Sequence, residues 1–193
     1  MNPATVLIPR MPACPALERT RSTRAEFSNQ DCQVFEDLVV ANEQYVAGYQ
    51  LAGLPAKAAR QLAVVTCIDS RIEPLSMLGL VPGDAKIIRN AGGRVTDDVL
   101  RSLIIASNLL SVTRIAVIHH TLCAMVTTEA EISSMIAEHA GSQPTGWEWH
   151  AIDEPDVALR ADVDAIRECP LIDADVVGWR YDIDTGRLLP VVD

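Results

Sequence analysis

Three residues whose side chains do chemistry occupy alternate positions at the end of an apolar run. The segment "TCIDSR", residues 66–71, follows "LAVV" and contains Cys67, Asp69 and Arg71. Side chains two positions apart on an extended chain point the same way, so these three share one face where the predicted strand ends. A thiolate, a carboxylate and a guanidinium placed together indicate a functional site.

A second group of residues able to bind a metal follows another apolar run. The segment "HHTLC", residues 119–123, comes after "RIAVI" and contains His120-x-x-Cys123. With Cys67 it supplies two thiolates and one imidazole, a ligand set that Zn²⁺ prefers, and three protein ligands with one open position are typical of catalytic zinc sites. The fourth position has two readings: Asp69 fills it in a closed state, or Arg71 holds Asp69 away and leaves room for water.

The two groups need a fold that brings separate strand ends together. Apolar strand patterns alternate with helical patterns, and this alternation predicts a three-layer α/β fold whose central, mostly parallel sheet carries helices on both faces. The predicted strands span 61–67, 85–90 and 114–120, with a final strand pair in 175–192, and the predicted helices span 29–50, a short segment from Pro74, 96–111, 127–140 and 156–169. Sites in such sheets form at the carboxyl ends of strands, where Cys67 and His120 lie.

Composition indicates a globular protein with a small ligand. The 193 residues, 49% of them hydrophobic, suit one domain, and we expect a flexible N-terminal extension over 1–28 and one zinc-binding catalytic domain over 29–193. The net charge of −10 argues against nucleic acid or an anionic membrane as a partner. No apolar stretch reaches the roughly 18 residues of a membrane span. The odd count of five cysteines predicts a reducing, cytoplasmic setting.

Three motifs in order, "CIDSR", "RNAGG" (89–93) and "HHTLC", resemble the zinc-binding signature of the β-class carbonic anhydrases. The similarity runs from about residue 61 to residue 125, roughly a third of the chain. The resemblance implies the fold of that family, Zn²⁺ as the cofactor and the following site residues: Cys67, His120 and Cys123 as zinc ligands, Asp69 and Arg71 as the catalytic dyad. The chain departs from the family pattern at Leu122, where many members carry a polar residue, and at Ala124, where glycine is usual.

The resemblance also implies an activity, the reversible hydration of carbon dioxide to bicarbonate by a hydroxide formed on zinc. In the family the arginine of the dyad pulls the aspartate off zinc, so Asp69 and Arg71 are expected to gate the site and to orient the hydroxide. Some relatives act on carbonyl sulfide or carbon disulfide at the same kind of site, so hydrolysis of these molecules is an alternative. A second alternative, of another class, is a non-catalytic zinc or redox-sensing module built on Cys67 and Cys123.

Family members usually assemble as dimers or larger, which implies a homodimer or a homotetramer for this chain. The predicted helix over 29–50 carries Tyr45 and Tyr49 and is the segment expected to reach a second subunit. The resemblance therefore implies a small-molecule substrate and a second copy of the chain as the partners.

Overall fold

The computed structural model describes residues 35–193. The predicted extension over 1–28, and the start of the predicted helix over 29–50, lie outside these residues. The chain divides into two compact units, one ending at Gln50 and one spanning Leu51–Asp193, and each is described by itself. The expectation of one domain over 29–193 stays a prediction.

The second unit is built round one five-stranded sheet with the strand order β2-β1-β3-β4-β5. The first four strands are parallel, and β5 is antiparallel to β4. In chain order the helices and strands of the described residues are α1 (Glu36–Ala47), β1 (Leu62–Cys67), α2 (Pro74–Met77), β2 (Ala85–Asn90), α3 (Asp97–Leu109), β3 (Arg114–His120), α4 (Glu129–Ala140), α5 (Pro155–Arg167), β4 (Asp175–Tyr181) and β5 (Leu188–Val192). None of the helices in residues 35–193 has the length and apolar character needed to cross a membrane. The predicted α/β fold with a mostly parallel sheet is confirmed.

Both faces of the sheet are buried. On one face α3 and α5 contribute fully buried side chains such as Leu103, Leu159 and Ile166. On the other face the buried strand residues include Val64 and Ile118, and side chains of and next to α2 pack against them. Burying one such aliphatic side chain contributes about 1.5–3 kcal/mol, so strands covered on both sides are continuously apolar. This explains why β1 and β3 read as "LAVV" and "IAVI".

Local signals at the helix ends act as their residue types suggest. Thr128 caps α4, and its hydroxyl and the Glu131 side chain exchange hydrogen bonds with the main chain in a capping box. Gly141 ends the same helix in the left-handed conformation, with φ +68°. Pro74 opens α2 at its first turn, where the missing amide hydrogen has no helical partner to lose.

The topology places the two predicted groups side by side. β1 and β3 are neighbours in the sheet and run parallel, with Thr66 opposite Ile118. Cys67 is the last residue of β1 and His120 the last of β3, so both leave the sheet at the same edge. That edge is where parallel α/β sheets form their sites.

Candidate metal centre

Three donor atoms converge at the carboxyl end of the sheet. The sulfurs of Cys67 and Cys123 and a ring nitrogen of His120 all lie within 4.8 Å of one another, and all three residues are buried. The two Sγ atoms are 3.9 Å apart. The three residues expected to be zinc ligands are therefore brought together, and Asp69 is not a member of this group.

The His120 ring is oriented with a free nitrogen toward the sulfurs. Its Nδ1 lies 2.8 Å from the carbonyl oxygen of Thr121. Because a carbonyl only accepts, Nδ1 carries the hydrogen and Nε2 carries the lone pair. Nε2 is buried without a hydrogen-bond partner among the described residues. A buried, unpaired nitrogen is unfavourable, and a bond to a cation satisfies it, with the Nδ1 bond fixing the ring as in known metal sites.

The two sulfurs differ in their affinity for a proton. The hydrogen bond from Cys123 is the largest of the causes that together outweigh burial and lower the pKa of Cys67 to about 4. The same contact raises the pKa of Cys123 above its ordinary value. The pair thus shares one proton, which a divalent cation displaces when it takes both sulfurs as thiolates. Two thiolates and a neutral imidazole are a donor set that fits Zn²⁺.

Asp69 lies beside the donors with both carboxylate oxygens bound by Arg71. Arg71 donates from Nε to Oδ1 at 2.9 Å and from Nη2 to Oδ2 at 2.7 Å, and its main-chain amide also reaches Oδ1 at 2.9 Å. These hydrogen bonds from Arg71 lower the pKa of Asp69 below its usual range, so the carboxylate is ionised at neutral pH. Asp69 Oδ2 is 3.9 Å from His120 Nε2. Of the two readings for the fourth position, the geometry matches the one in which Arg71 holds Asp69.

Arg71 also connects the two loops that carry the donors. Its Nη2 donates to the carbonyl oxygen of Leu122 at 3.0 Å. Leu122 has φ +56°, a left-handed conformation that is unfavourable for a leucine, and its side chain is 65% exposed. The hydrogen bond from Arg71 helps to hold this strained peptide between His120 and Cys123.

The turn Ala91–Gly93, which lies in the motif "RNAGG", packs against the end of β1. Gly93 has φ +69°, and a Cβ atom there would lie 2.9 Å from the main-chain nitrogen of Cys67 and 2.9 Å from the carbonyl carbon of Thr66. Only glycine tolerates both the conformation and this close approach. The Gly92 amide in the same turn also helps to lower the pKa of Cys67.

Two residues with roles near the site were not named as site residues from the sequence. Arg89 on β2 donates to the main-chain oxygens of Cys67 and Asp69. Asp162 on α5 is buried and accepts hydrogen bonds from Arg94 at 2.7 Å and from His119 at 3.0 Å. The sequence could have indicated Asp162, because it lies among the buried positions of an amphipathic helix, where a carboxylate needs hydrogen-bond partners. Arg89 is the first residue of the motif "RNAGG", but the motif alone does not show which groups its side chain contacts.

Comparison with known proteins identifies the family. The family model described as carbonic anhydrase matches residues 62–152. β-Carbonic anhydrase 1 of Mycobacterium tuberculosis is 35% identical over 160 residues, which cover 80% of this chain and 96% of that protein. Carbon disulfide hydrolase of Acidianus is 32% identical over 165 residues, covering 72% and 80%. The crystal structure of carbonic anhydrase from Streptococcus mutans is 39% identical, with a TM-score of 0.76 over 81% of this chain and 96% of that one. Sequence, fold and relatives agree that the chain belongs to the β-class carbonic anhydrase family.

Proposed function

We propose that this protein is a zinc enzyme that converts carbon dioxide and water reversibly to bicarbonate. One observation carries the proposal: two sulfurs and an unpartnered imidazole nitrogen converge within 4.8 Å, next to a carboxylate held by an arginine. The similarity to proteins named carbonic anhydrase supports this choice of substrate.

Cys67, His120 and Cys123 are the residues that would hold zinc. Bound there, zinc acts as a Lewis acid that makes a water molecule a nucleophile near neutral pH. The two cysteines supply anionic donors, and the Thr121 carbonyl keeps His120 in the tautomer that can bind a cation. Because all three ligand residues are buried, the donors are held by packing before the metal arrives.

The dyad supplies orientation. Arg71 binds both oxygens of Asp69, which keeps the carboxylate ionised and favours its staying outside the ligand set. An ionised carboxylate only accepts hydrogen bonds, so Asp69 accepts one from the attacking water and directs the oxygen lone pair at the carbon of the substrate. In the reverse direction the same contact orients the oxygen of bicarbonate that carries the proton.

The variant Asp69→Asn tests this division of roles. It should abolish carbon dioxide hydration while zinc content stays near one atom per chain, because the amide can donate a hydrogen bond in the wrong direction. Stopped-flow hydration and metal analysis measure the two quantities. Asp98→Asn is the matched control, because Asp98 also pairs with an arginine, Arg101, at 2.7 Å but on the surface. Loss of zinc from Asp69→Asn would make Asp69 a ligand, and undiminished turnover would remove it from the mechanism.

A second candidate is hydrolysis of carbon disulfide or carbonyl sulfide at the same residues. The similarity to carbon disulfide hydrolase of Acidianus favours it. These molecules are small, uncharged and linear like carbon dioxide, with an electrophilic central carbon, so the dyad would orient water toward them in the same way. Release of hydrogen sulfide, measured beside carbon dioxide hydration in one preparation, separates the two. A protein that binds zinc and does neither would support the non-catalytic zinc or redox-sensing module.

The assembly we propose is a homodimer or a homotetramer. Beside the metal site, Ile68 and Leu122 expose 60% and 65% of their surface, which offers a second copy of the chain an apolar surface to cover. A second copy that covers them would also shield the site from bulk water. The contact expected through Tyr45 and Tyr49 stays a prediction. Light scattering measures the mass, and a monomer at micromolar concentration would refute the assembly.

A further inference from the structure

Arg89, on β2, binds the main chain of the segment that carries Cys67 and Asp69. Its Nε donates to the carbonyl oxygen of Cys67 at 2.8 Å, and its Nη2 donates to that of Asp69 at 2.7 Å. One guanidinium thus bridges a proposed metal ligand and the proposed orienting carboxylate through their main-chain atoms.

The contact lies where the sheet stops pairing. β1 and β2 pair in parallel as far as Cys67 opposite Asn90, and a last main-chain bond runs from the Ile68 amide to the Asn90 oxygen at 3.0 Å. Beyond this point the chain leaves β1 and turns, with the Asp69 oxygen also accepting from the Ile72 amide at 3.0 Å. Main-chain hydrogen bonds from β2 support β1 up to this point, and beyond it the side chain of Arg89 donates the hydrogen bonds that support the chain.

The chemistry of the contact favours a positioning role over a structural ion pair. Arg89 is half-buried and pairs with no carboxylate among the described residues, so its charge faces the two carbonyl dipoles. A guanidinium presents its N–H groups in a rigid planar fork, so two bonds from one group fix the relative orientation of two peptide units. Arg71 binds the side chain of Asp69, and Arg89 binds the main chain from which that side chain projects.

We propose that Arg89 is a positioning residue for the reaction assigned above: it holds the main chain from Cys67 to Asp69 so that sulfur and carboxylate keep a fixed separation. The inference rests on the proposed function. Without the fork, the bond from the Ile68 amide to the Asn90 oxygen is the last contact that ties this segment to β2, and both the Cys67 donor and the Asp69 carboxylate become free to shift.

Titration with Co²⁺ tests this directly, because its visible absorption reports both thiolate ligation and coordination geometry. In Arg89→Gln we expect Co²⁺ to bind about 10–100-fold more weakly, the effect typical of losing a residue that supports a ligand. We also expect an altered d–d spectrum and a lower kcat for carbon dioxide in the zinc-loaded enzyme.

Arg167→Gln is the matched control. Arg167 also donates to two main-chain oxygens from one guanidinium, those of Val176 at 2.7 Å and Asp193 at 2.6 Å, and neither belongs to a segment of the metal site. Its loss also removes an arginine that binds two main-chain oxygens, here through the single nitrogen Nη2, so the control should lose stability and keep the wild-type Co²⁺ spectrum and affinity.

The conservative variant Arg89→Lys distinguishes the effect of the two-donor guanidinium geometry from the effect of the positive charge. Arg89→Lys keeps the cation and loses the second donor direction, and its Co²⁺ affinity should fall between wild type and Arg89→Gln. A wild-type spectrum and affinity in Arg89→Gln, the same changes in Arg167→Gln, or full wild-type behaviour of Arg89→Lys would each overturn the inference. Should Arg89→Gln fail to fold, the Co²⁺ spectrum and affinity of Arg89→Lys test the inference instead.

Failure of the proposed function can be told apart from failure of this inference. If the wild-type enzyme binds metal but hydrates no carbon dioxide, the proposed function fails, and the Co²⁺ data still test whether Arg89 positions the metal site.

Discussion

Replacing Asp162 with asparagine removes the charge at the centre of a buried hydrogen-bond network. Asp162 Oδ2 accepts from Arg94 Nε at 2.7 Å and from His119 Nε2 at 3.0 Å, while Oδ1 accepts from the Val95 amide at 3.0 Å. The side chains of Asp162 and Arg94 are only 5% and 16% exposed. Asparagine has nearly the same shape, but it leaves the guanidinium without a counter-charge in a place that water hardly reaches.

The size of the effect follows from that burial. Removing one partner of a buried ion pair costs roughly 3–5 kcal/mol, because the remaining charge stays desolvated. For a chain of 193 residues, each kcal/mol lowers Tm by roughly 2–4 °C, so Asp162→Asn should lower Tm by about 6–20 °C. The exposed pair of Asp98 and Arg101 provides the comparison, and its loss should cost about 0.5 kcal/mol or less.

The pH dependence of stability provides a second test of the role of Asp162. Burial alone raises the pKa of Asp162, but hydrogen bonds from His119 and Arg94 outweigh it and hold the pKa below its usual value. A carboxyl group with a lowered folded-state pKa stabilises the fold above its unfolded pKa of about 3.9 and loses that contribution as the pH falls toward the folded value. The stability gap between wild type and Asp162→Asn, measured by urea unfolding, should be full at pH 7 and shrink below pH about 4. A gap under 1 kcal/mol at pH 7, or one that grows in acid, would refute the reasoning.

Two further predictions address the metal site itself. Cys123→Ser should lose bound zinc and carbon dioxide hydration together, because a hydroxyl is a much poorer zinc ligand than a thiolate, whereas Cys169→Ser, which changes a cysteine outside the site, should keep both in metal analysis and stopped-flow assays. Gly93→Ala should weaken zinc binding about tenfold or more in chelator competition, because its Cβ would meet the Cys67 amide nitrogen at 2.9 Å. Gly79→Ala shares the positive φ, +62°, with nothing within 4 Å, and equal zinc affinities for the two alanine variants would contradict the steric argument.

Much of the fold follows from local information. Strands buried on both faces must be apolar throughout, so β1 and β3 are visible in the sequence as short runs ending in Cys67 and His119-His120. The helix signals are equally local: Thr128 and Gly141 bound α4, and Pro74 opens α2. Because parallel strands end at one edge, knowing the strands was enough to expect the sulfurs and the imidazole together. The structure brings them within 4.8 Å of one another.

The remaining contacts depend on side-chain directions that no local pattern specifies. Arg89 sits on the edge strand β2, and a long side chain there has solvent as well as the β1 turn within reach. The partners of Asp162 lie on β3 and after β2, so nothing in the sequence of α5 reveals which charge compensates it. The left-handed φ of Leu122 is also hidden, because leucine does not favour that conformation and adopts it here with its carbonyl bound by Arg71.

The contacts of Arg71 and Arg89 have one physical effect in common. A cation takes Cys67 and Cys123 as two thiolates beside the Asp69 carboxylate, and these negative groups repel one another while burial adds to the cost of charging them. Arg71 and Arg89 bring positive charge to the same segment, one at the Asp69 carboxylate and one at the main-chain oxygens of Cys67 and Asp69. Because neither arginine belongs to the donor group, the cations offset that repulsion without occupying a ligand position. The three donor residues alone would therefore make a poor site, and under the proposal made for Arg89 an arginine from β2 also holds the geometry of the Cys67 to Asp69 segment.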